Sequence, residues 1–216
     1  IRYRLYEELK DNGYKTLYSD TYISRDKLFT KDFDIEHIIP QARLFDDSFS
    51  NKTLEARSIN IEKGKRTALD YVAEKYGVDC FADDTGLHVD ALDGAPGVYT
   101  ARFGTMNGFG DSHDSTANIR CLLAKMEGKE DRRCRFRTVI ALVCHKAEGI
   151  LEEYLFEGIV TGIILEEREE GEGFGYDPIF RPDGYDHSFA RLGDEVKNRI
   201  SHRARAVEKL VEFLKQ

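Results

Sequence analysis

Two long strand-like segments in the second half of the chain limit its possible folds more than any other feature. Residues 135–145 and 150–165 carry frequent β-branched and aromatic side chains, and Gly149 lies between them. A glycine between two such runs is typical of the turn in a β-hairpin. We therefore predict a long hairpin in a chain of the α/β class.

Apolar residues at helical spacing predict helices along the rest of the chain. Four segments have this spacing: residues 1–12, 51–76, 115–126 and 194–216. Gly13 and Gly77 are expected to end the first two, and Gly64 to interrupt the second. Ser115 or Thr116 can cap the third helix. The last segment is amphipathic, with these residues expected to face inward: Val196, Ile200, Val207, Leu210, Val211 and Leu214.

Shorter strands are predicted at residues 33–39, 80–82 and 88–91. The last two flank residues 83–86, an acidic segment that reads as a turn. The pattern of residue types changes near residue 77, which suggests two parts, residues 1–76 and residues 77–216.

Composition and charge exclude several classes of protein. A hydrophobic content of 41% is enough for a packed core, and the net charge of −8 has the wrong sign for a cationic nucleic-acid coat. All of that net charge lies after residue 77. The sequence has no apolar run long enough to span a membrane and no secretory signal, and its four cysteines are scattered. We therefore expect a cytoplasmic protein with reduced thiols and no zinc site.

The first candidate site combines Glu36 and His37 with Asn51 and Asn60. A carboxylate and an amide oxygen can hold Mg²⁺, and a histidine outside the metal shell can activate water. The alternative interpretation is a solvated strand end followed by two helix caps. Spacing alone favours that alternative.

The surrounding sequence resembles the HNH nuclease domain of RNA-guided CRISPR type II effectors. The matching pieces, in order, are residues 35–40, Asp46-Asp47-Ser48-Phe49, Asn51-Lys52, Asn60 and Lys63-Gly64. This resemblance implies a small ββα-metal fold that cuts one DNA strand. It implies His37 as the general base, Glu36 and Asn60 as metal ligands, and Asn51 as an orienting residue.

Such an effector also needs a long basic channel for the guide duplex and a reader of the adjacent DNA motif. A net-neutral segment of this length has neither. At most, residues 1–76 would contact and nick DNA without sequence preference, with an affinity that falls steeply with salt.

The second candidate site starts at the adjacent carboxylates Asp83 and Asp84, ahead of Thr85 and Gly86. Two adjacent carboxylates can hold Mg²⁺ on a phosphate chain, although side chains that alternate along a strand would leave one of them facing the site. Two more residue groups fit a nucleotide. One is the glycine-rich loop 171–175 with Phe174 for stacking on a base, and the other is the set of cations and donors Lys197, His202 and Arg203. The alternative makes these a turn, a loop anchor and a solvated helix face.

Three motifs in this part resemble the inosine/xanthosine triphosphate pyrophosphatase family. They are FADDTGLHVDALDGAPGVYTARF, GFGYDPIF and VKNRISHRARA, and the match that contains them runs from about residue 71 to the end of the chain. The resemblance implies an elongated α/β fold with a mixed sheet, usually a homodimer, and Mg²⁺-dependent hydrolysis of a purine nucleoside triphosphate to monophosphate and pyrophosphate. It implies Asp84 as proton acceptor, with Asp84 and Asp83 at the metal. The implied substrate contacts are Thr85, Phe174, Gly175, Tyr176, Asp177, Lys197, His202 and Arg203.

Donors such as His202 and Arg203 would favour a 6-oxo purine over an amino-bearing one. On one straight helix, however, Lys197, His202 and Arg203 would spread around the cylinder. A break near Ser201, or contacts from more than one side, is needed to bring them together.

The same resemblance leaves part of the family pattern without a match. We find no Thr-x-x-Asn-x-x-Lys phosphate loop in residues 1–70, and a helix lysine of the family would fall near Ala68. The nuclease-like pattern and the pyrophosphatase-like pattern meet at residues 70–77. Three functions therefore stay open: a pyrophosphatase impaired by a replaced N-terminal part, a metal-dependent DNA nickase, and an inactive chimeric chain.

Overall fold

The computed structural model describes residues 1–42, 51–110 and 114–216. Residues 46–49, one of the matched nuclease-like pieces, lie outside the described residues. Seven α-helices and seven strands occur within the described ranges. The helices are α1 (Arg2–Glu8), α2 (Arg57–Lys63), α3 (Ala68–Tyr76), α4 (Phe103–Met106), α5 (Ser115–Lys125), α6 (Phe189–Ile200) and α7 (His202–Leu214). The strands are β1 (Phe33–His37), β2 (Lys52–Ala56), β3 (Cys80–Val89), β4 (Pro96–Gly97), β5 (Arg133–His145), β6 (Leu151–Ile164) and β7 (Phe180–Pro182).

Contacts between residues divide the chain into two compact units. The first comprises residues 1–81 and 142–153, and the second comprises residues 82–141 and 154–216. The predicted boundary at residues 76–77 stays a prediction.

The first unit contains a two-stranded antiparallel sheet followed by a helix. Ile35 of β1 lies opposite Leu54 of β2, and α2 begins directly after β2. A small core is formed by Leu5, Tyr6, Leu9, Ile23, Leu28, Phe33 and Leu54. As predicted, Gly13 and Gly77 adopt the left-handed conformation at the ends of their helical segments.

The prediction that residues 51–76 are mostly helical was wrong for the first part of that segment. Residues Lys52–Ala56 form β2, because pairing with β1 buries Leu54 completely and satisfies the strand backbone. Tertiary pairing of this kind overrides a weak local helix preference. The helical prediction holds from Arg57 onward, with the break at Gly64.

The second unit contains most residues of a five-stranded sheet with the order β4-β3-β5-β6-β7. Strands β5 and β6 confirm the predicted hairpin to within two residues at each end. The β3/β4 and β6/β7 pairs are antiparallel. The core of this unit includes Leu87, Val89, Phe103, Ile119, Leu122, Phe136, Val160, Ile164, Ile179, Phe180 and Phe189.

Two local predictions in this unit were wrong. Residues 83–86 are not a turn, because β3 runs without interruption through them. The cap of α5 is Asp114, whose carboxylate accepts from the amides of Thr116 and Ala117, and it takes the role expected of Ser115 or Thr116.

The C-terminal amphipathic segment is two helices that meet at Ser201. Leu210 is buried as predicted, but Val207, Val211 and Leu214 are 42%, 40% and 61% exposed. Within the described residues, no helix is both long and apolar enough to cross a membrane. All four cysteines are free thiols, and three of them are buried.

Candidate active site

A cavity of about 1090 Å³ in the second unit brings the predicted substrate contacts together. Its lining comes from β3, residues 100–101, α5, β5, the loop before β7, α6 and α7. All eight residues assigned to substrate from the resemblance lie on its wall: Thr85, Phe174, Gly175, Tyr176, Asp177, Lys197, His202 and Arg203. The cavity also has room for a nucleotide, since pockets for small molecules usually span about 300–1,000 Å³.

The helix break at Ser201 makes this convergence possible. Ser201 has an extended backbone (φ −66°, ψ 161°), and its side chain accepts a hydrogen bond from the amide of Ala204. It therefore ends α6 and caps α7 at the same place. Lys197 lies in the last turn of α6, while His202 and Arg203 begin α7. Of the two arrangements that the sequence left open, the structure shows the break at Ser201.

His202 is a buried, uncharged imidazole on the cavity wall. The residue is 6% exposed, and its ring stacks on Phe136 with centroids 4.6 Å apart and planes inclined by 17°. Burial, assisted by the nearby charges of Arg203 and Lys197, lowers the pKa of His202 to about 4. Its Nδ1 is buried with no hydrogen-bond partner among the described residues. A buried polar atom without a partner is rare in proteins and calls for an explanation, such as a missing ligand or water.

The guanidinium of Arg203 contacts two side chains of β3. Its Nη2 donates to Asp83 Oδ2 at 2.9 Å and lies 3.4 Å from Thr85 Oγ1. Thr85 Oγ1 in turn shares a 2.6 Å hydrogen bond with Thr138 Oγ1 of β5. Asp83 and Thr85 therefore use the same face of β3, toward α7.

The adjacent carboxylate, Asp84, belongs to the opposite face of β3, because side chains alternate along a strand. Asp84 is exposed. The sequence predicts that one of the two carboxylates faces the site. The carboxylate that contacts Arg203 of the cavity lining is Asp83, whereas the resemblance implies Asp84 as the proton acceptor.

Asp177 and Lys197 form a buried pair that holds the glycine-rich loop. Lys197 Nζ donates to Asp177 Oδ2 at 2.5 Å, and their side chains are 11% and 4% exposed. The same Oδ2 accepts from the amide of Phe174 at 2.9 Å, and Lys197 Nζ lies 4.0 Å from the centroid of the Phe174 ring. Asp177 and Lys197 therefore form an ion pair with each other. Because Asp177 also accepts from the amide of Phe174, the pair fixes the backbone at Phe174. The ring itself is 68% exposed.

Tyr176 anchors the loop from inside. Its ring is buried, and its hydroxyl donates to the carbonyl of Thr100 at 3.0 Å. Burial raises the pKa of Tyr176 well above its ordinary value, so the phenol stays protonated. This arrangement gives Tyr176 a supporting role in the wall.

Several cavity residues were missed in the sequence: Thr100, Ser115, Asn118, Phe136, Asp194 and Asn198. Asn118 is buried and joins two segments, since its Oδ1 accepts from the amide of Gly104 and its Nδ2 donates to the carbonyl of Ala101. An asparagine in the middle of an apolar helix face was the only signal that could have found it.

The first candidate site is arranged differently. Glu36 is 3% exposed; its Oε1 lies 2.7 Å from Lys63 Nζ and its Oε2 accepts from the hydroxyl of Tyr18 at 2.8 Å. Burial and the neighbouring Glu36 raise the pKa of Tyr18, which keeps that hydroxyl a donor. Both oxygens of Glu36 are therefore used by protein groups, which counts against the expected metal-ligand role in this state.

The other members of that site have structural contacts. Asn51 accepts from the amide of Ile39 at 2.7 Å and donates to its carbonyl at 2.8 Å, which fixes the chain after β1. His37 Nε2 lies 3.3 Å from the side-chain nitrogen of Gln41. Asn60 is on α2, partly buried. Among the described residues, no cluster of three or more His, Cys, Asp or Glu side chains could hold a metal ion.

Comparison with known proteins finds relatives that match most of the chain. A dITP/XTP pyrophosphatase of Flavobacterium johnsoniae is 47% identical over 145 residues, which is 67% of this chain and 70% of that protein. One of Christiangramia forsetii is 46% identical over 164 residues, covering 76% and 81% of the two chains. The solved structure of the Staphylococcus aureus Ham1 protein matches with a TM-score of 0.62 and 32% identity, over 95% of this chain and 93% of that one.

A family profile described as the Ham1 family matches residues 31–213, and the match continues through residues 70–77, where the two sequence patterns meet. With most of its length matched in this way, the chain belongs to the Ham1 family.

Proposed function

We propose that this protein hydrolyses nucleoside triphosphates of deaminated purines, such as dITP and XTP, to the monophosphate and pyrophosphate. The relatives named dITP/XTP pyrophosphatase support this substrate class. The observation that carries the proposal is the buried, uncharged His202, a residue of the cavity lining next to Arg203, whose Nδ1 has no hydrogen-bond partner among the described residues.

These two side chains suit a purine with an oxygen at position 6. Arg203 is always a donor, and a neutral imidazole offers one N–H and one acceptor nitrogen. A 6-oxo purine presents a carbonyl acceptor and a protonated ring nitrogen, which such a pair can satisfy. A 6-amino purine presents a donor where Arg203 also donates, and leaving buried polar groups mispaired is how a site discriminates strongly.

Phe174 provides a surface for stacking the base. Its ring is largely exposed at the cavity, and the Asp177–Lys197 pair fixes the backbone that carries it. Base–aromatic stacking contributes about 1–3 kcal/mol and does not depend on the base's hydrogen-bonding pattern. Stacking therefore supplies affinity, while His202 and Arg203 supply selectivity.

The carboxylates of β3 are proposed to act at the phosphates. Two adjacent, solvent-accessible carboxylates fit Mg²⁺, which typically binds through one or two carboxylates together with substrate phosphates and water. Asp83 would hold it from the face of β3 that it shares with Thr85, and the ion would neutralise charge on the triphosphate; Asp84 would join it only if substrate binding turns its side chain from the opposite face of the strand. Asp84 accepts the proton of the attacking water in this proposal. Asp83 must first release Arg203, which then becomes available to the base.

The phosphate side and the base side make separable contributions. The missing Thr-x-x-Asn-x-x-Lys loop and the alanine at position 68 suggest a weak grip on the phosphates, and therefore a low rate. The residues proposed for the base side line one cavity, so selectivity for 6-oxo purines is expected even at that low rate.

Incubation of the protein with dITP, XTP and dATP, with and without Mg²⁺, tests this proposal. Pyrophosphate and monophosphate should appear in equal amounts from dITP and XTP, and much more slowly from dATP. Orthophosphate as the main product would indicate a different reaction. No release from any of the three would remove the proposal.

A second candidate function for residues 1–76 is metal-dependent nicking of DNA. It is favoured by the order of β1, β2 and α2, with His37 at the end of β1 and Asn60 on α2. It is opposed by the buried ion pair between Glu36 and Lys63. Nicking of supercoiled plasmid that disappears in His37→Ala would support it, and nicking that survives this substitution would exclude it.

A further inference from the structure

The first turn of α7 lies directly on β6 at Gly158. A Cβ atom added to Gly158 would overlap the carbonyl oxygen of His202 and lie 2.6 Å from the amide nitrogen of Ala206. Both are backbone atoms, so no side-chain rotation can relieve the overlap. Glycine is therefore the residue that allows the helix this close to the strand.

A separate contact positions the side chain of His202. Its ring stacks on Phe136 of β5, and the ring of Phe136 packs in turn against Phe180 at 4.7 Å. Gly158 and Phe136 are both buried. The backbone of His202 is thus held by β6 and its ring by β5, while the Ser201 cap fixes where the helix begins.

We propose that Gly158 is a positioning residue for purine selectivity, because it sets the height of the first turn of α7 above the sheet and so the place of His202 in the cavity. This inference rests on the proposed function. Arg203 is the next residue on the same turn, so a displacement of α7 moves both groups that would read the base. The carboxylates assigned to the phosphates lie on β3 and do not share this support.

The consequence is a loss of selectivity that exceeds the loss of rate. A Cβ atom at position 158 cannot fit until the backbone of α7 moves away to van der Waals distance, because the atoms that it would overlap belong to α7. A misplacement of about 1 Å can cost on the order of a hundredfold where a group must meet its partner in a fixed geometry. We expect the ratio of kcat/KM for dITP to that for dATP to fall by at least roughly tenfold in Gly158→Ala.

The test compares Gly158→Ala with Thr161→Ala, an exposed position on the same strand. A second variant, Phe136→Leu, keeps an apolar core residue but removes the stacked ring. For each, the selectivity ratio is measured together with the NMR titration of the His202 imidazole. Gly158→Ala and Phe136→Leu should lower the ratio and raise the titration midpoint from about 4 toward the ordinary histidine value, with Thr161→Ala unchanged in both.

A folded Gly158→Ala protein with wild-type selectivity and an unchanged His202 titration would overturn the inference. If that variant does not fold, Phe136→Leu decides by the same two readouts. If the wild-type protein hydrolyses neither nucleotide, the proposed function fails, and the His202 titration alone then tests whether Gly158 and Phe136 position this ring. The two failures are therefore distinguishable.

Discussion

Arg203 Nη2 donates to Asp83 Oδ2 at 2.9 Å, so a cation assigned to the purine base is bound to a carboxylate assigned to the phosphates. The two side chains are 48% and 37% exposed, and an exposed pair of this kind contributes no more than about 1 kcal/mol. A nucleotide can therefore separate them at small cost. In the proposed function, breaking this ion pair frees Arg203 to bind the purine base and frees Asp83 to bind Mg²⁺ at the phosphates.

The two carboxylates of β3 should respond differently to loss of charge. In Asp84→Asn we expect kcat for dITP to fall by about 10²–10⁴-fold, because the proton acceptor is lost. Asp83→Asn should mainly raise the Mg²⁺ concentration needed for half-maximal rate, since one oxygen ligand is weakened. Steady-state rates at a series of Mg²⁺ concentrations measure both effects. Equal effects of the two substitutions on kcat and on the Mg²⁺ requirement would contradict this division of roles.

Removal of one partner from the buried Asp177–Lys197 pair should destabilise the second unit. Lys197→Met leaves Asp177 charged, buried and without its cation, a change that typically costs about 3–5 kcal/mol. Urea denaturation followed by circular dichroism measures the change. The control is the double variant Asp177→Asn/Lys197→Met, in which the amide still accepts from Phe174. It should be more stable than Lys197→Met alone. If its loss of stability equalled the sum of the losses in Asp177→Asn and Lys197→Met, the two groups would not be coupled.

A second buried pair makes a parallel prediction for the first unit. Glu36 and Lys63 have side chains 3% and 1% exposed, so Lys63→Met should also cost about 3–5 kcal/mol. Lys65→Met, two residues away at an exposed position, is the matched control. Loss of stability of the same size in both variants would mean that the Glu36–Lys63 pair has no special role.

The depressed pKa of His202 predicts a specific dependence of stability on pH. The unfolded imidazole has a pKa of about 6.5 and the folded one about 4, so between these values the unfolded state binds more protons. Folding is therefore unaffected by His202 above pH 6.5 and loses stability as the pH falls from about 6.5 to 4. At pH 5 the expected loss relative to pH 7.5 is about 2 kcal/mol.

Urea denaturation of the wild type and of His202→Gln at both pH values isolates this contribution, because the other titrating groups are common to both proteins. The loss of stability on going from pH 7.5 to pH 5 should be smaller in His202→Gln by about the same 2 kcal/mol. An identical pH dependence in the two proteins would contradict a buried, neutral His202.

The sequence predicts those parts of the fold that depend on local pattern. The hairpin of β5 and β6 follows from long runs of strand-forming residues. The break at Ser201 is one of the two arrangements expected from the need to bring Lys197, His202 and Arg203 to one place. Gly13 and Gly77 were recognised because a left-handed residue after a helix favours glycine.

Features set by partners distant in the chain could not be predicted in this way. The carboxylates at residues 83 and 84 favour a turn locally, yet pairing in the sheet makes them part of β3. The Asp177–Lys197 pair joins residues 20 apart, and its effect is to use two predicted substrate contacts on each other. The role of Gly158 depends on the approach of α7, which no pattern within β6 reveals.

Selectivity for 6-oxo purines is measured by the ratio of kcat/KM for dITP to that for dATP, obtained from pyrophosphate release by the wild type and by Arg203→Gln. We expect a high ratio in the wild type, whatever the absolute rate, and a ratio near one in Arg203→Gln. Equal hydrolysis of dITP and dATP by the wild-type protein would contradict it.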